Sequence, residues 1–220
     1  MQRSAFIFDL DGVIVDTAKY HFLAWKKLAD RLGIFFDEHA NEKFKGVSRQ
    51  RSLELLLQSG GISATESDFN RWMTEKNEDY LALISDMGSD EILVDVLKVL
   101  DHLKSRGQGI ALGSASKNAT LILDRVGITS YFEVIIDGNK VTKAKPDPEV
   151  FVKAAEGLLV PAQRSVVFED AIAGVDAALA AGMYSIGVGE SASLGHAHRV
   201  VKDFTELSTS FLDQLIEQNS

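Results

Sequence analysis

The chain alternates between short continuous apolar runs and longer stretches whose apolar positions recur at helical spacing. "AFIF" (residues 5–8) is the first such run and ends at Asp9. A run this short and wholly apolar predicts a strand buried on both faces, as in a parallel sheet. The pattern returns at "GIALGSAS" (109–116), "VVFED" (166–170) and "SIGVG" (185–189), with "FEVII" (132–136) as a further strand or a sheet edge. Between these runs lie predicted helices. "LVDVLKVLDHLKSRG" stops at Gly107, "KNATLILDRVG" at Gly127 and "AIAGVDAALAAG" at Gly182, each a suitable residue just past a helix end. "DPEVFVKAAEGL" opens with Asp147 and Pro148, read as an N-cap and a first-turn proline. Strand and helix in alternation imply a parallel sheet covered on both faces, an α/β fold. One segment breaks the alternation. Residues 17–88 contain no convincing strand, and "AKYHFLAWKKLADRLG", "RQRSLELLLQSGG" and "ATESDFNRWMTEKNEDYLALI" all read as helical. That is too long for a connecting loop. It predicts an all-helical cap, 17–88, inserted in a Rossmann-like core made of 1–16 and 89–220.

At 220 residues the chain can bury a substantial core. A net charge of −9 with scattered basic residues argues against a nucleic-acid surface, which needs a concentrated basic patch. A small anionic substrate stays possible, because a few local cations outweigh distant acidic surface. There is no cysteine, so neither disulfides nor thiolate chemistry enter. The apolar run near the N-terminus is too short for a signal peptide and nothing reaches membrane-spanning length, so the expectation is a cytoplasmic monomer with no membrane partner.

In an open parallel sheet, ligands bind beyond the carboxyl ends of the strands, which makes the residues just past each apolar run informative. They are Asp9 and Asp11, then Ser114 and Ser116 ahead of Lys117 and Asn118, then Lys145 in "KAKPDP", then Glu169 and Asp170. Singly, each has a plainer reading: a turn aspartate, the cap of the next helix, a loop serine, a solvated lysine. Together they place groups suited to one ligand at one sheet edge. Hard oxygen donors suit Mg²⁺, and clustered carboxylates need a dication to offset their repulsion. With a hydroxyl, a lysine and a helix N-terminus alongside, the set suits a phosphoryl group. Asp9 can serve as metal ligand, nucleophile or both, and Asp11 is spaced to move a proton.

"DLDGV" (9–13), "GSAS" (113–116), Lys145 in "KAKPDP" and "EDAIAG" (169–174) resemble, in order, the motifs of the haloacid dehalogenase superfamily. The resemblance implies a Rossmann-like core, Mg²⁺ dependence, an aspartyl-phosphate intermediate and a mobile cap. The second aspartate points to phosphoryl transfer instead of dehalogenation. "TAKYHFLAWKKLA" (17–29), "KGVSR" (45–49), "SASKN" (114–118) and "EDAIAGVDA" resemble the superfamily's glucose-phosphate mutase branch across the whole chain, cap included. That implies interconversion of β-D-glucose 1-phosphate and glucose 6-phosphate through the 1,6-bisphosphate. A sugar-phosphate or phosphoglycolate-type phosphatase of the same fold is the alternative, and a non-catalytic binding module a third.

By this resemblance Asp9 is the nucleophile and Asp11 the general acid and base. Asp9, the Asp11 backbone carbonyl and Asp170 hold Mg²⁺, with Glu169 in or beside its coordination sphere. Ser114 and Lys145 hold the phosphoryl group. Ala115, Ser116, Lys117 and Asn118 form the matching loop, Asn118 facing a second phosphate. Thr17, His21, Trp25, Lys45, Gly46, Val47, Arg49, Ser52 and Lys76 contact the sugar phosphate or order the closed form. Read without the resemblance, "KGVSR" is a turn with a solvated lysine and arginine, His21 an ordinary helix histidine, Trp25 cap core, and Lys76 part of an exposed charge pattern. The chain departs from the family at Val94-Asp95, where a Pro-Gly pair is usual before the helix that follows the cap.

Overall fold

The computed structural model describes residues 3–218. Six strands form one wholly parallel sheet: β1 (Ala5–Phe8), β2 (Gly109–Gly113), β3 (Val134–Ile136), β4 (Ser165–Glu169), β5 (Tyr184–Val188) and β6 (Arg199–Val201). Their order is β3-β2-β1-β4-β5-β6. From β1 the chain first builds outward to β3, then returns to build β4 to β6 on the other side. The direction of winding therefore reverses at the β1–β4 pair, where Phe8 lies opposite Phe168. Beyond the carboxyl ends of such a pair an α/β sheet opens its binding crevice. "FEVII" supplies the edge strand β3.

Alternate residues of the strands feed two apolar layers. Phe6, Phe8, Ile110, Leu112, Val166, Phe168 and Ile186 pack with the helices at Val96–Ser105, Ala119–Arg125 and Thr209–Gln218. Ala5, Ile7, Ala111 and Val167 pack with those at Glu149–Gly157 and Ile172–Ala180. The expected α/β sheet with both faces covered is thus present. Gly107, Gly127 and Gly182 follow their helices at φ between 66° and 77°, the left-handed conformation that glycine adopts most cheaply. Asp95 takes the same conformation, φ 58°, at the start of the helix after the cap, the place where the family's pattern has glycine. Asp147 lies one residue outside its helix. The helix begins at Glu149, whose N–H donates to Asp147 Oδ1 at 3.0 Å, while Pro148 is already in helical conformation.

Between β1 and β2 come α1 (Ala18–Leu32), α2 (Glu38–Asn41), α3 (Arg49–Ser59) and α4 (Glu66–Leu83), with no strand among them. Ser48 and Thr65 cap α3 and α4 by accepting the N–H of Arg51 and Asp68. These helices close on their own apolar cluster around Trp25, Leu28, Phe36, Leu53 and Leu56. The roots of α1 and α4, at Ala24, Tyr80, Ile84 and Met87, join the main core instead. The two segments that connect this helical body to the sheet run side by side. Leu93 N–H donates to the Ile14 carbonyl and Asp16 N–H to the Glu91 carbonyl, both at 3.0 Å. Glu91 also accepts from Lys19 at 2.8 Å and from the Tyr20 hydroxyl.

Candidate active site

The sheet ends in a buried ionic cluster. Lys145 Nζ donates to Asp9 Oδ1 at 2.5 Å and to Glu169 Oε2 at 2.7 Å, and none of the three is more than 4 % exposed. Burial pushes Asp9 up to about 8, with Glu169 and Asp11 adding to the rise and Lys145 opposing it. The two carboxylates in turn hold Lys145 above its ordinary value in spite of burial. Glu169 Oε1 accepts the Ala171 N–H at 3.1 Å. Room for this carboxylate is made by Gly174, where a Cβ would stand 2.0 Å from the Glu169 carboxyl carbon. Asp9, Glu169 and Asp170 each bring a carboxylate oxygen within 4.8 Å of the others. Asp170 is driven well above its usual range by burial and by its two carboxylate neighbours. One ammonium does not balance three clustered carboxylates. An all-oxygen donor set with surplus negative charge fits a hard divalent cation such as Mg²⁺.

Asp11 lies nearby in a different electrostatic setting. The Thr17 hydroxyl donates to it, and His21 Nε2 stands 3.7 Å from Oδ1. Burial pushes Asp11 up, but His21 and Thr17 outweigh it and hold the carboxyl below its usual value. Two aspartates two residues apart thus lie in different electrostatic settings, Asp9 raised by burial, Glu169 and Asp11, and Asp11 lowered by His21 and Thr17.

The opposite wall comes from the helical body. His21 Nδ1 is 3.0 Å from Lys76 Nζ, which lies 4.8 Å from the ring centres of both Trp25 and Tyr80. His21 also stacks on Tyr80, centroids 4.2 Å apart. Burial and then Arg49 press Lys76 down to about 7. Arg49 opens α3, half-buried, and its guanidinium has no carboxylate or hydrogen-bond partner among the described residues. Two contacts draw the walls together. A Cβ on Gly46 (φ 70°) would fall 2.5 Å from the Ala171 Cβ, so only a glycine lets "KGVSR" lie this close to the loop after β4. Asn118 donates to Asn77 Oδ1 at 2.9 Å, joining the loop after β2 to α4. The cleft between the walls holds about 770 Å³, open mouth included.

The depressed Lys76 has a measurable consequence. A lysine whose folded pKa lies below its unfolded value carries fewer protons than the unfolded chain between about pH 7 and its normal pKa of ~10.4. Its charging therefore costs stability, fully below pH 7 and less as pH rises. Lys76→Met is expected to remove up to about 1.4 kcal/mol per pH unit of this rise. Urea unfolding of both proteins from pH 6.5 to 9 checks it; parallel curves would refute it.

Asp9, Asp11, His21, Trp25, Lys45, Gly46, Val47, Arg49, Ser52, Lys76, Ser114, Ala115, Ser116, Lys117 and Asp170 all line the cleft. Thr17, Lys145 and Glu169 stand behind it, each bonded to an aspartate or a neighbour of one. Asn118, read as facing a second phosphate, donates its amide to Asn77 Oδ1. Lys45 pairs with Glu42 at 3.0 Å, and Ser52 donates to the Ser48 carbonyl. Trp25 belongs to the apolar cluster of the helical body as well as to the cleft. Ala18, Asn41 and Phe44 also line the cleft, and Tyr80 backs it. Tyr80 could have been found, since it follows Lys76 by one helical turn.

Residues 4–182 match the haloacid dehalogenase-like hydrolase family. The chain is 42 % identical over 216 residues to a β-phosphoglucomutase of Bacillus subtilis, covering 97 % of this chain and 96 % of the relative. It is 32 % identical to a phosphorylated carbohydrates phosphatase of Thermotoga maritima, covering 88 % of each. A crystal structure of β-phosphoglucomutase from Clostridium difficile superposes with a TM-score of 0.94 at 42 % identity, covering 99 % of this chain and 98 % of that one.

Proposed function

The chain belongs to the haloacid dehalogenase-like hydrolase family, and from that premise we propose that it interconverts β-D-glucose 1-phosphate and glucose 6-phosphate through an Asp9 phosphate and β-glucose 1,6-bisphosphate. One observation carries this reading: the cleft has two anion stations. Lys145 meets the buried Asp9 behind the cleft, and Arg49, which lines it from the helical body, lacks a carboxylate partner among the described residues. A monophosphate hydrolase needs only the first station. A mutase whose intermediate carries two phosphates needs both. The identity to β-phosphoglucomutases supports the same choice.

A carboxylate oxygen of Asp9 attacks phosphorus, and the bond to the sugar oxygen breaks. Asp11, which lines the same cleft, gives the departing oxygen its proton and later takes one from the attacking hydroxyl. Lys145 and the Ser114 region balance charge on the transferred group. Asp9, Asp170 and the Asp11 backbone carbonyl would hold Mg²⁺, with Glu169 adjacent. When bound, the ion neutralises the carboxylate cluster and polarises the phosphoryl oxygens. The close approach of Gly46 to Ala171 brings the two walls together, which favours attack on the phosphoenzyme by a bound sugar hydroxyl over bulk water.

The test supplies β-glucose 1-phosphate, a trace of the bisphosphate and Mg²⁺, and follows glucose 6-phosphate and free phosphate in parallel. Isomerised product is expected. Stoichiometric phosphate release without it would replace the mutase by a sugar phosphatase. In the same assay Arg49→Ala is expected to raise KM and lower kcat/KM by ~2–4 kcal/mol, while sparing turnover of a small acyl phosphate that has no second anion. Equal harm to both substrates would assign Arg49 to the fold.

A further inference from the structure

Once the two anion stations are assigned, the cleft still lacks a group that reads the sugar between them. The cleft residues given above divide into ions, which serve phosphate, and apolar groups such as Trp25, Phe44 and Val47, which suit a ring face. Its neutral polar side chains are few, and most are engaged. The Ser52 hydroxyl donates to the Ser48 carbonyl, Ser114 Oγ accepts the Ser116 N–H, Ser116 Oγ accepts the Asn118 N–H, and the Asn118 amide is given to Asn77.

Asn41 is the exception. It ends α2 and is 9 % exposed, yet its carboxamide has no hydrogen-bond partner among the described residues. Nor is either amide atom sealed off as an unsatisfied interior group; those are His21 Nε2, the Tyr80 hydroxyl and Arg164 Nε. Asn41 is among the residues that line the cleft. A largely buried amide without a protein partner is costly unless something else bonds it. A carboxamide offers a donor and an acceptor together, the complement of a hydroxyl that does both.

We propose that the Asn41 carboxamide binds a ring hydroxyl of the hexose phosphate and so contributes to sugar selectivity. This rests on the sugar-phosphate reading above and goes beyond it, because it names the group that reads a sugar hydroxyl. Asn41 touches substrate without entering the phosphoryl chemistry, so its loss appears in KM more than in kcat.

The experiment measures kcat and KM of the wild type, Asn41→Ala and the near-isosteric Asn41→Asp, all with intact thermal transitions. Substrates are β-D-glucose 1-phosphate and its 2-, 3- and 4-deoxy analogues. Asn41→Ala is expected to lose about 5- to 30-fold in kcat/KM on the parent sugar, the scale of one or two neutral hydrogen bonds in a dry site. For one deoxy analogue, the one lacking the hydroxyl held by Asn41, variant and wild type should agree within about twofold, since neither enzyme makes the bond. Asn41→Asp, which loses the donor, should show the same pattern in weaker form. Equal losses on all four sugars would make Asn41 structural and overturn the proposal, as would no loss on the parent sugar. A wild type that turns over none of the four overturns the sugar-phosphate reading itself, a result distinct from either.

Discussion

Asp9→Asn is expected to abolish turnover, by at least ~10⁴-fold, while leaving the fold in place. The amide matches the carboxylate in shape but cannot attack phosphorus, so the covalent route is lost outright instead of slowed. Tolerance of the change follows from the surroundings. Asp9 is buried and already pushed up to about 8, so the chain gives up little by making the position neutral. The Lys145–Glu169 pair at 2.7 Å persists to absorb the ammonium. Two measurements are needed. Intact mass after incubation with an acyl phosphate should show a gain of one phosphoryl group in the wild type and none in the variant. Urea midpoints should agree closely. A phosphorylated variant would move the nucleophile elsewhere, and Asp11 would be the first place to look.

Lys145→Met carries the largest expected cost to stability. It removes the ammonium from a cluster in which both partners are carboxylates, leaving Asp9 and Glu169 facing each other in a dry interior. Removing one partner of a buried ion pair costs ~3–5 kcal/mol, more than most single substitutions. The pH dependence has a definite sign. Lys145 is what opposes the rise of the Asp9 carboxyl, so without it Asp9 is raised further above its unfolded value. A carboxyl raised in the folded state favours folding at low pH and penalises it as pH rises through the shifted value. The gap between variant and wild type should therefore stay level below about pH 8 and widen as pH rises above it. A gap that stays constant would mean that the loss comes from packing against Phe151, over whose ring Lys145 lies at 4.7 Å.

Legibility in the sequence followed how local each signal was. β1, β2, β4 and β5 announce themselves because strands buried on both faces must be continuously apolar, and glycines mark the helix ends. The long helical stretch after β1 was visible for the same reason. β6 was not: "RVV" is three residues at the sheet edge, half exposed, with no apolar run to betray it. The carboxylate cluster was legible because Asp9 and Asp170 each follow their strand by one residue and Glu169 ends β4. The opposite wall was harder. Asn41 sits in a four-residue helix with no periodicity, and Asn77 meets Asn118 only through tertiary packing 41 positions apart. Polar contacts between distant segments leave no pattern along the chain.

Beneath the carboxylates, Phe8 and Phe168 stack with centroids 4.6 Å apart and planes within 5°, and Phe204 closes the group from below. Each of the first two rings immediately precedes a carboxylate of the site, Asp9 and Glu169, and their strands are paired residue for residue. The spacing between Asp9 and Glu169 is thus a property of sheet register, fixed by a rigid aromatic floor. Reorganisation energy is what such a floor saves. In the proposed transfer, negative charge moves from carboxylate to phosphoryl oxygen and back while the dipoles and charges around it stay in place, so the barrier would contain little work spent on moving the protein itself.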